Sequence, residues 1–234
     1  MYQRSHTPSP RALAKPYRFL RLPLDLDIEP LVRELAAVDL PWVSTLWKWH
    51  RGTDFCVLRA GPEGARPGES LVTGAGVDAP ILAQLPALRA LLDHAFPVPA
   101  RLAWIGRSPP NSTIRLHIDN TSHWDEHHRV HVPLITTPDA RLCVEGRFLH
   151  MPAGSCWLFN NSVPHGALND GPTRLHLLLD LPPDPRVHDL LARGVEHPGA
   201  HDPAALARLA RDPLHGLRPD ELADAGLMFR FRHQ

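Results

Sequence analysis

Residues 101–182 read RLAWIGRSPPNSTIRLHIDNTSHWDEHHRVHVPLITTPDARLCVEGRFLHMPAGSCWLFNNSVPHGALNDGPTRLHLLLDLP. Short stretches of alternating apolar and polar residues recur here about every ten residues, separated by Pro, Gly, Asn and Asp. They cover 101–107, 113–118, 129–135, 141–145, 147–151, 155–160, 165–168 and 174–180. Eight short strands with turn punctuation predict an antiparallel sandwich or jelly roll.

The flanks read differently. Upstream, 17–26 alternates like a strand, and 27–38 carries Leu31, Val32, Leu35 and Val38 at helical spacing, with Asp27 as a cap and Pro30 in the first turn. A short strand is expected at 55–59 and a loop at 61–70. The stretch 78–96 predicts a helix capped by Asp78 with Leu88, Leu91 and Leu92 on one face, broken or kinked at Pro86. Downstream, Val187, Leu190, Leu191 and Val195 share a helical face, and Asp202-Pro203 starts a second helix through 211. The expected organisation is a mainly β domain over 17–182, with N-terminal support at 17–100 and the jelly-roll core at 101–182. A polar tail at 1–16, carrying Pro8, Pro10 and Pro16, reads as disordered, and 183–234 reads as a helical extension.

Composition narrows the function. The 234 residues carry 25 Lys+Arg against 25 Asp+Glu. A chain so balanced has no broad basic field for nucleic acid or an anionic membrane. No apolar run approaches the ~20 residues of a membrane span, and no secretory h-region is visible. Three cysteines, Cys56, Cys143 and Cys156, are too few and wrongly spaced for a disulfide framework, so a reducing cytoplasm is expected. Two counts stand out, 26 Pro and 16 His. The first disfavours long helices, and the second points towards metal or proton chemistry.

The histidines that matter fall in the strand pattern. His117 and Asp119 are i and i+2 at a strand end, so both face one side. His165 opens a later strand, and Arg174 follows nine residues on, one hairpin further. Two His and one carboxylate form a facial triad, the arrangement of non-haem Fe(II) oxygenases. Arg174 is placed to meet the far carboxylate of a dicarboxylic cosubstrate. Arg129 and His131 are another i, i+2 pair facing the same interior.

The stretches PPNSTIRLHIDN (109–120), RVHVPLIT (129–136), LFNNSVPHGALN (158–169) and RLHLLLDLP (174–182) resemble the aspartyl/asparaginyl β-hydroxylase family. The wording is more similar to its small bacterial members of the proline cis-hydroxylase type. The resemblance extends to 18–35 and 86–102 and covers roughly 17–182. It implies a double-stranded β-helix, a jelly-roll or cupin-like fold, using Fe(II), 2-oxoglutarate and O2. Carried over, His117, Asp119 and His165 become the iron ligands, Arg174 the cosubstrate clamp, and Arg129 with His131 the cosubstrate-pocket pair. The family's protein-modifying members replace the carboxylate ligand by Gly. Asp119 is kept here, which turns the expectation towards a free or carrier-linked amino acid rather than a peptide or protein. A non-redox, metal-binding cupin-like protein is the competing class.

Other residues carry two readings each. His123-Trp124-Asp125-Glu126-His127 matches the H-x-x-E-H zinc-peptidase motif but lies in a polar loop between strands. It reads first as a solvated loop, second as a lid with Trp124 and His127 on the substrate. Arg115 can bind a substrate carboxylate if it shares the face of His117. His176, two residues from Arg174, reads first as a hydrogen-bonded core histidine and second as a cosubstrate or substrate contact. Asn120, Asn160 and Asn161 read as turn formers or as support for the iron ligands. Trp42, Trp47 and Trp49, beside His50 and Arg51, read first as apolar packing and second as a substrate-recognition wall.

Overall fold

Strict alternation, as in RLHLLLDL at 174–181, puts every second side chain on the same sheet face. In the computed structural model, which describes residues 15–45, 48–61, 76–119 and 122–210, such segments build two antiparallel sheets. In chain order the elements are β1 (Phe19–Asp25), α1 (Glu29–Ala37), β2 (Val43–Ser44), β3 (Asp54–Ala60), β4 (Val77–Asp78), α2 (Pro86–His94), β5 (Leu102–Ser108), β6 (Ser112–His117) and β7 (His128–Ile135). There follow β8 (Ala140–Val144), β9 (Arg147–Leu149), β10 (Ser155–Phe159), β11 (His165–Asn169), β12 (Arg174–Leu181), α3 (Pro185–Ala192), β13 (Val195–His197), β14 (Ala200–His201) and α4 (Pro203–Leu209). Short 3-10 turns occupy Lys48–His50, Pro80–Gln84 and Ser122–Asp125. The larger sheet runs β13-β1-β10-β7-β12-β5-β3-β2, with β4 also on β3, and the smaller runs β14-β9-β8-β11-β6. This is the jelly-roll architecture expected from the strand pattern, and each of the eight expected strands is present.

The faces of the larger sheet divide the labour. Ala103, Ile105, Val130, Val132, Leu134, Leu177, Leu179 and Leu181 point to one side, where they pack with Leu31 and Leu35 of α1, Leu88 and Leu92 of α2, and Val187 and Leu190 of α3. Each fully buried leucine there is worth about 1.5–3 kcal/mol of transfer free energy. The intervening residues, among them Trp104, Ser108, Arg129, His131, Arg174 and His176, point to the other side and line a cavity. Helices therefore seal one face so that the opposite face can carry polar chemistry.

The boundaries differ from expectation in informative places. Pro86 splits the 78–96 segment, leaving a 3-10 turn before α2. Asp78 does not cap it; its carboxylate pairs with Arg59 at 2.7 Å and with Arg89 at 2.6 Å. The cap expected at Asp27 takes the form of a bond from the Glu29 N–H to its carboxylate at 3.1 Å, while Ile28 holds the N-cap position. Val195 is exposed on β13 rather than on a helix face. The segment after 182 is not purely helical: β13 extends the larger sheet through β1, and β14 extends the smaller through β9. Asp202 caps α4 as its Asp-Pro start implies, accepting from the Ala205 N–H at 2.9 Å. Residues 62–75, with most of the loop expected at 61–70, lie outside the described residues, as do 1–14, Trp47 and Asn120.

Candidate active site

The site begins with two neighbouring strands. His165 opens β11 and pairs in register with His117 at the end of β6, which brings the imidazoles together at a centroid distance of 4.2 Å. Each ring is fixed by its own backbone. His117 Nδ1 lies 2.7 Å from the Arg115 carbonyl, and His165 Nδ1 lies 3.0 Å from the Val163 carbonyl. A carbonyl only accepts, so each Nδ1 carries a proton, and in the neutral ring Nε2 offers the lone pair. Asp119 completes the set, its Oδ1 standing 3.7 Å from His117 Nε2 and 3.9 Å from His165 Nε2. One ligand atom from each of the three lies within 4.8 Å of the others.

Protonation suits a cation. Burial pushes the His165 imidazole down to about 3 and so keeps it neutral. Burial alone would raise Asp119, but His165, His117, Arg129 and the Asn161 hydrogen bond outweigh it and hold the carboxyl at about 2. The donor set, two imidazole nitrogens and one carboxylate on one side, fits a divalent ion of borderline hardness with positions left open. Asn161 orients the carboxylate: its Nδ2 donates to Asp119 Oδ2 at 2.9 Å, and its carbonyl accepts from the Asp119 N–H at 3.0 Å. Lys15 in turn donates to Asn161 Oδ1 and sits 5.2 Å over the Trp124 ring. Asn160 accepts from the Ser162 N–H in an Asx turn and donates through Nδ2 to the Lys15 carbonyl at 3.1 Å, while Asn161 is the one of the pair that bonds Asp119.

The inner wall is basic and short of partners. Arg174 is buried with no acidic neighbour among the described residues, and desolvation lowers its guanidinium to about 10. Its Nη2 donates to Ser108 Oγ at 2.9 Å, while its Nε is buried with no partner. His131 Nε2 and His176 Nε2 line the same cavity and are likewise buried without partners. Burial pushes His131 down to about 3 and His176 further below its ordinary value, so both are neutral. The core histidine expected at 176 is buried, but it faces the cavity with that ring nitrogen unbonded. Three unsatisfied polar groups on one wall of a cavity of about 190 Å³ call for an anionic or strongly accepting ligand.

The outer wall is aromatic. The Arg129 guanidinium lies 4.2 Å from the Trp104 ring and 4.3 Å from the Trp124 ring. Buried Asp180 holds it from behind through Nε and Nη2, both at 2.8 Å, and also accepts from His123 Nε2 at 2.7 Å. Those three donors carry Asp180 well below the usual carboxylate range against the opposing cost of burial. Trp49 and His50, from the hairpin between β2 and β3, close the cavity beside His117.

The residues singled out in the sequence divide accordingly. His117, Asp119, His165, Arg129, His131, Arg174 and Trp124 converge on the cavity. Arg115 does not: it donates to the Arg208 carbonyl of α4 at 2.5 Å. A register shift in the β6–β11 pairing accounts for this. His165 pairs with His117 but Ala167 with Ile114, so Ile114 rather than Arg115 shares the inner face. His127 stacks on His123 at 4.2 Å, behind Trp124 and apart from the cavity lining. The segment 122–127 is thus neither a solvated loop nor a zinc-binding helix, because its histidines are buried on a 3-10 turn against Asp180.

A family model described as aspartyl/asparaginyl beta-hydroxylase matches residues 71–183. The chain is also similar to three solved structures. One is an oxidoreductase of the 2OG-Fe(II) oxygenase family from Burkholderia pseudomallei, at 15% identity over 74% of this chain and 80% of that one, with a TM-score of 0.45. Another is HygX from Streptomyces hygroscopicus with nickel and 2-oxoglutarate bound, at 14% identity over 70% and 82%, TM-score 0.43. The third is a prolyl-4-hydroxylase from Pseudomonas putida, at 16% identity over 70% and 92%, TM-score 0.40. Within the residues that the family model matches lie all three candidate metal ligands, Arg129, His131 and Arg174. Lys15, Trp49 and His50 reach the site from outside them.

Proposed function

We propose that the chain is an Fe(II)/2-oxoglutarate-dependent dioxygenase that hydroxylates an unactivated C–H bond of a free or carrier-linked amino acid. The carrying observation is the pairing of a His117–Asp119–His165 donor cluster with Arg174, a buried cation lacking an acidic partner, on one cavity. A non-redox metal protein has no use for such a cation there. His117, Asp119 and His165 would hold the iron. Arg174 and Ser108 would receive the distal carboxylate of 2-oxoglutarate, with the orphaned nitrogens of His131 and His176 on the same wall. When bound, iron with 2-oxoglutarate and O2 supplies the oxidising chemistry, yielding succinate, CO2 and a hydroxylated product.

The protein's own part is placement and exclusion of water. Asn161 fixes the carboxylate ligand, and the two backbone carbonyls fix the imidazoles, the kind of support typically worth 10–100-fold in affinity or activity. Trp49, Trp104 and Trp124 give the substrate side apolar walls. Arg129, clamped by Asp180 between two indoles, offers a rigid cation beside the metal ligands, suited to a substrate carboxylate or to the cosubstrate. Retention of Asp119, where the family's protein-modifying members have Gly, and a closed aromatic wall favour a small substrate.

Succinate release, measured with Fe(II) and 2-oxoglutarate over a panel of free amino acids and carrier-bound aminoacyl groups, tests the reading. Substrate-dependent succinate and a product heavier by one oxygen are expected. Turnover with peptides alone would move the substrate class to proteins, and no coupled succinate with any member would overturn the proposal.

A further inference from the structure

Strand pairing carries one segment to the metal cluster from the far end of the chain. Phe19 of β1 stands opposite Phe159 of β10, so the residues just before 19 run beside those just after 159. Three hydrogen bonds join the two segments. The Asn160 N–H donates to the Arg18 carbonyl at 3.1 Å, Asn160 Nδ2 donates to the Lys15 carbonyl at 3.1 Å, and Lys15 Nζ donates to Asn161 Oδ1. An ammonium has donors and no lone pair, so the amide atom that faces Lys15 is the oxygen. The amide nitrogen of buried Asn161 is thereby turned to Asp119, whose Oδ2 accepts from it at 2.9 Å. With Oδ2 tied in this way, the other carboxylate oxygen, Oδ1, is the one that faces His117 and His165, at 3.7 and 3.9 Å from their Nε2 atoms.

We infer that Lys15 is a positioning residue for the metal site: acting through the Asn161 amide, it holds the Asp119 carboxylate with Oδ1 aimed at the two imidazoles. The inference rests on the metal reading above, and it adds a residue from outside the span that the family model matches. Two observations favour positioning over direct contact with a ligand. Lys15 stands behind Asn161 rather than on the cavity wall. Its ammonium meets Asn161 and, at 5.2 Å, the Trp124 ring, so its hold on Asp119 runs through the amide. The backbone of the segment is fixed separately, by the two Asn160 bonds and by the Arg18 N–H, which donates to Glu196 Oε1 at 3.0 Å. Removing the Lys15 head group therefore releases the amide while the segment stays in place. Charge and positioning pull in opposite directions here, because a cation beside the site opposes a bound metal ion whereas an ordered carboxylate favours it.

The test is a double-mutant cycle on the Mn(II) affinity of the full chain, followed by the electron paramagnetic resonance signal of the free ion. The variants are Lys15→Met, Asn161→Ala and the two together. The charge of Lys15 is lost in both backgrounds, so comparing them removes its effect and leaves the part that runs through Asn161. Lys15→Met is expected to weaken Mn(II) binding about fivefold more in the wild-type background than in the Asn161→Ala background, the equivalent of about 1 kcal/mol and the scale of one hydrogen bond. Thermal unfolding checks that each variant is folded, and Asn161→Ser takes the place of Asn161→Ala should the alanine variant not fold. An effect of Lys15→Met that is the same in both backgrounds, whatever its sign, would overturn the inference. A wild-type chain that binds no Mn(II) would instead overturn the metal site itself, and the inference with it.

Discussion

Replacing Arg174 by Met separates binding from stability, because the two should move in opposite directions. Among the described residues the guanidinium is buried with one hydrogen bond, to Ser108, and no counter-charge. The fall of its pKa from 12.5 to about 10 corresponds to about 3 kcal/mol of unfavourable desolvation, at about 1.4 kcal/mol per unit. Methionine fills a similar volume without a charge. After allowing about 1 kcal/mol for the lost Ser108 bond, the variant should be more stable by about 2 kcal/mol. For a chain of this size that is a rise in Tm of about 4–8 °C. Affinity for 2-oxoglutarate should fall, since a paired, buried carboxylate loses its cation at a cost of about 3–5 kcal/mol, or roughly two to four orders of magnitude. Differential scanning fluorimetry of the metal-loaded protein with and without 2-oxoglutarate reads both effects at once. The wild type should be stabilised by the cosubstrate, and Arg174→Met should start higher and barely respond. A lowered starting Tm with an unchanged response to 2-oxoglutarate would refute the reasoning.

Two further outcomes follow from the buried charges and histidines. Asp180→Ala leaves Arg129 without its partner and strips His123 of its acceptor, so a loss of about 3–5 kcal/mol is expected by urea denaturation; a loss under about 1 kcal/mol would contradict the clamp. Acid should weaken the metal-free fold well above the carboxylate range. Burial pushes His127 and His128 down to about 4, so between pH 6.5 and 4 the unfolded chain binds protons that the folded chain does not. Stability is therefore full above about pH 6.5 and falls by up to about 1.4 kcal/mol per pH unit for each histidine as pH drops towards 4. Urea curves at pH 7.5, 6 and 5 should show that slope, and the double variant His127→Phe/His128→Phe should lessen it, the remainder coming from His131, His165 and His176, which burial pushes lower still. Equal stability at pH 7.5 and 5 in the wild type would sink the assignment.

What could be read in advance depended on which physical rule governed each residue. The period-2 rule is local, and it placed His117, Asp119, His165, Arg129, His131 and Arg174 on inner faces before any pairing was known. The same rule misplaced Arg115, because the irregular register between β6 and β11 reverses the alternation one step before His117. Polar composition made 120–128 look solvated. The controlling partner, Asp180, lies on the neighbouring strand β12, and its buried charge draws His123 and Arg129 inward. Lys15, Trp49 and His50 reach the site by tertiary packing of segments far from the strand pattern, which no spacing encodes. Among them the tryptophans carried a signal, since a cluster beside a histidine and an arginine is unusual in a hairpin. Trp49 stacks nearly parallel to His117, at 8°.

The central claim is that His117, Asp119 and His165 assemble an iron site to which 2-oxoglutarate binds under Arg174. Anaerobic addition of Fe(II) and then 2-oxoglutarate, followed in the visible region, tests it most directly. The wild type is expected to develop the weak charge-transfer band of iron bound by a 2-oxo acid, His117→Ala to lose it, and Arg174→Met to require far more 2-oxoglutarate. A wild-type protein that develops no band, or a band that survives in His117→Ala, would contradict the account.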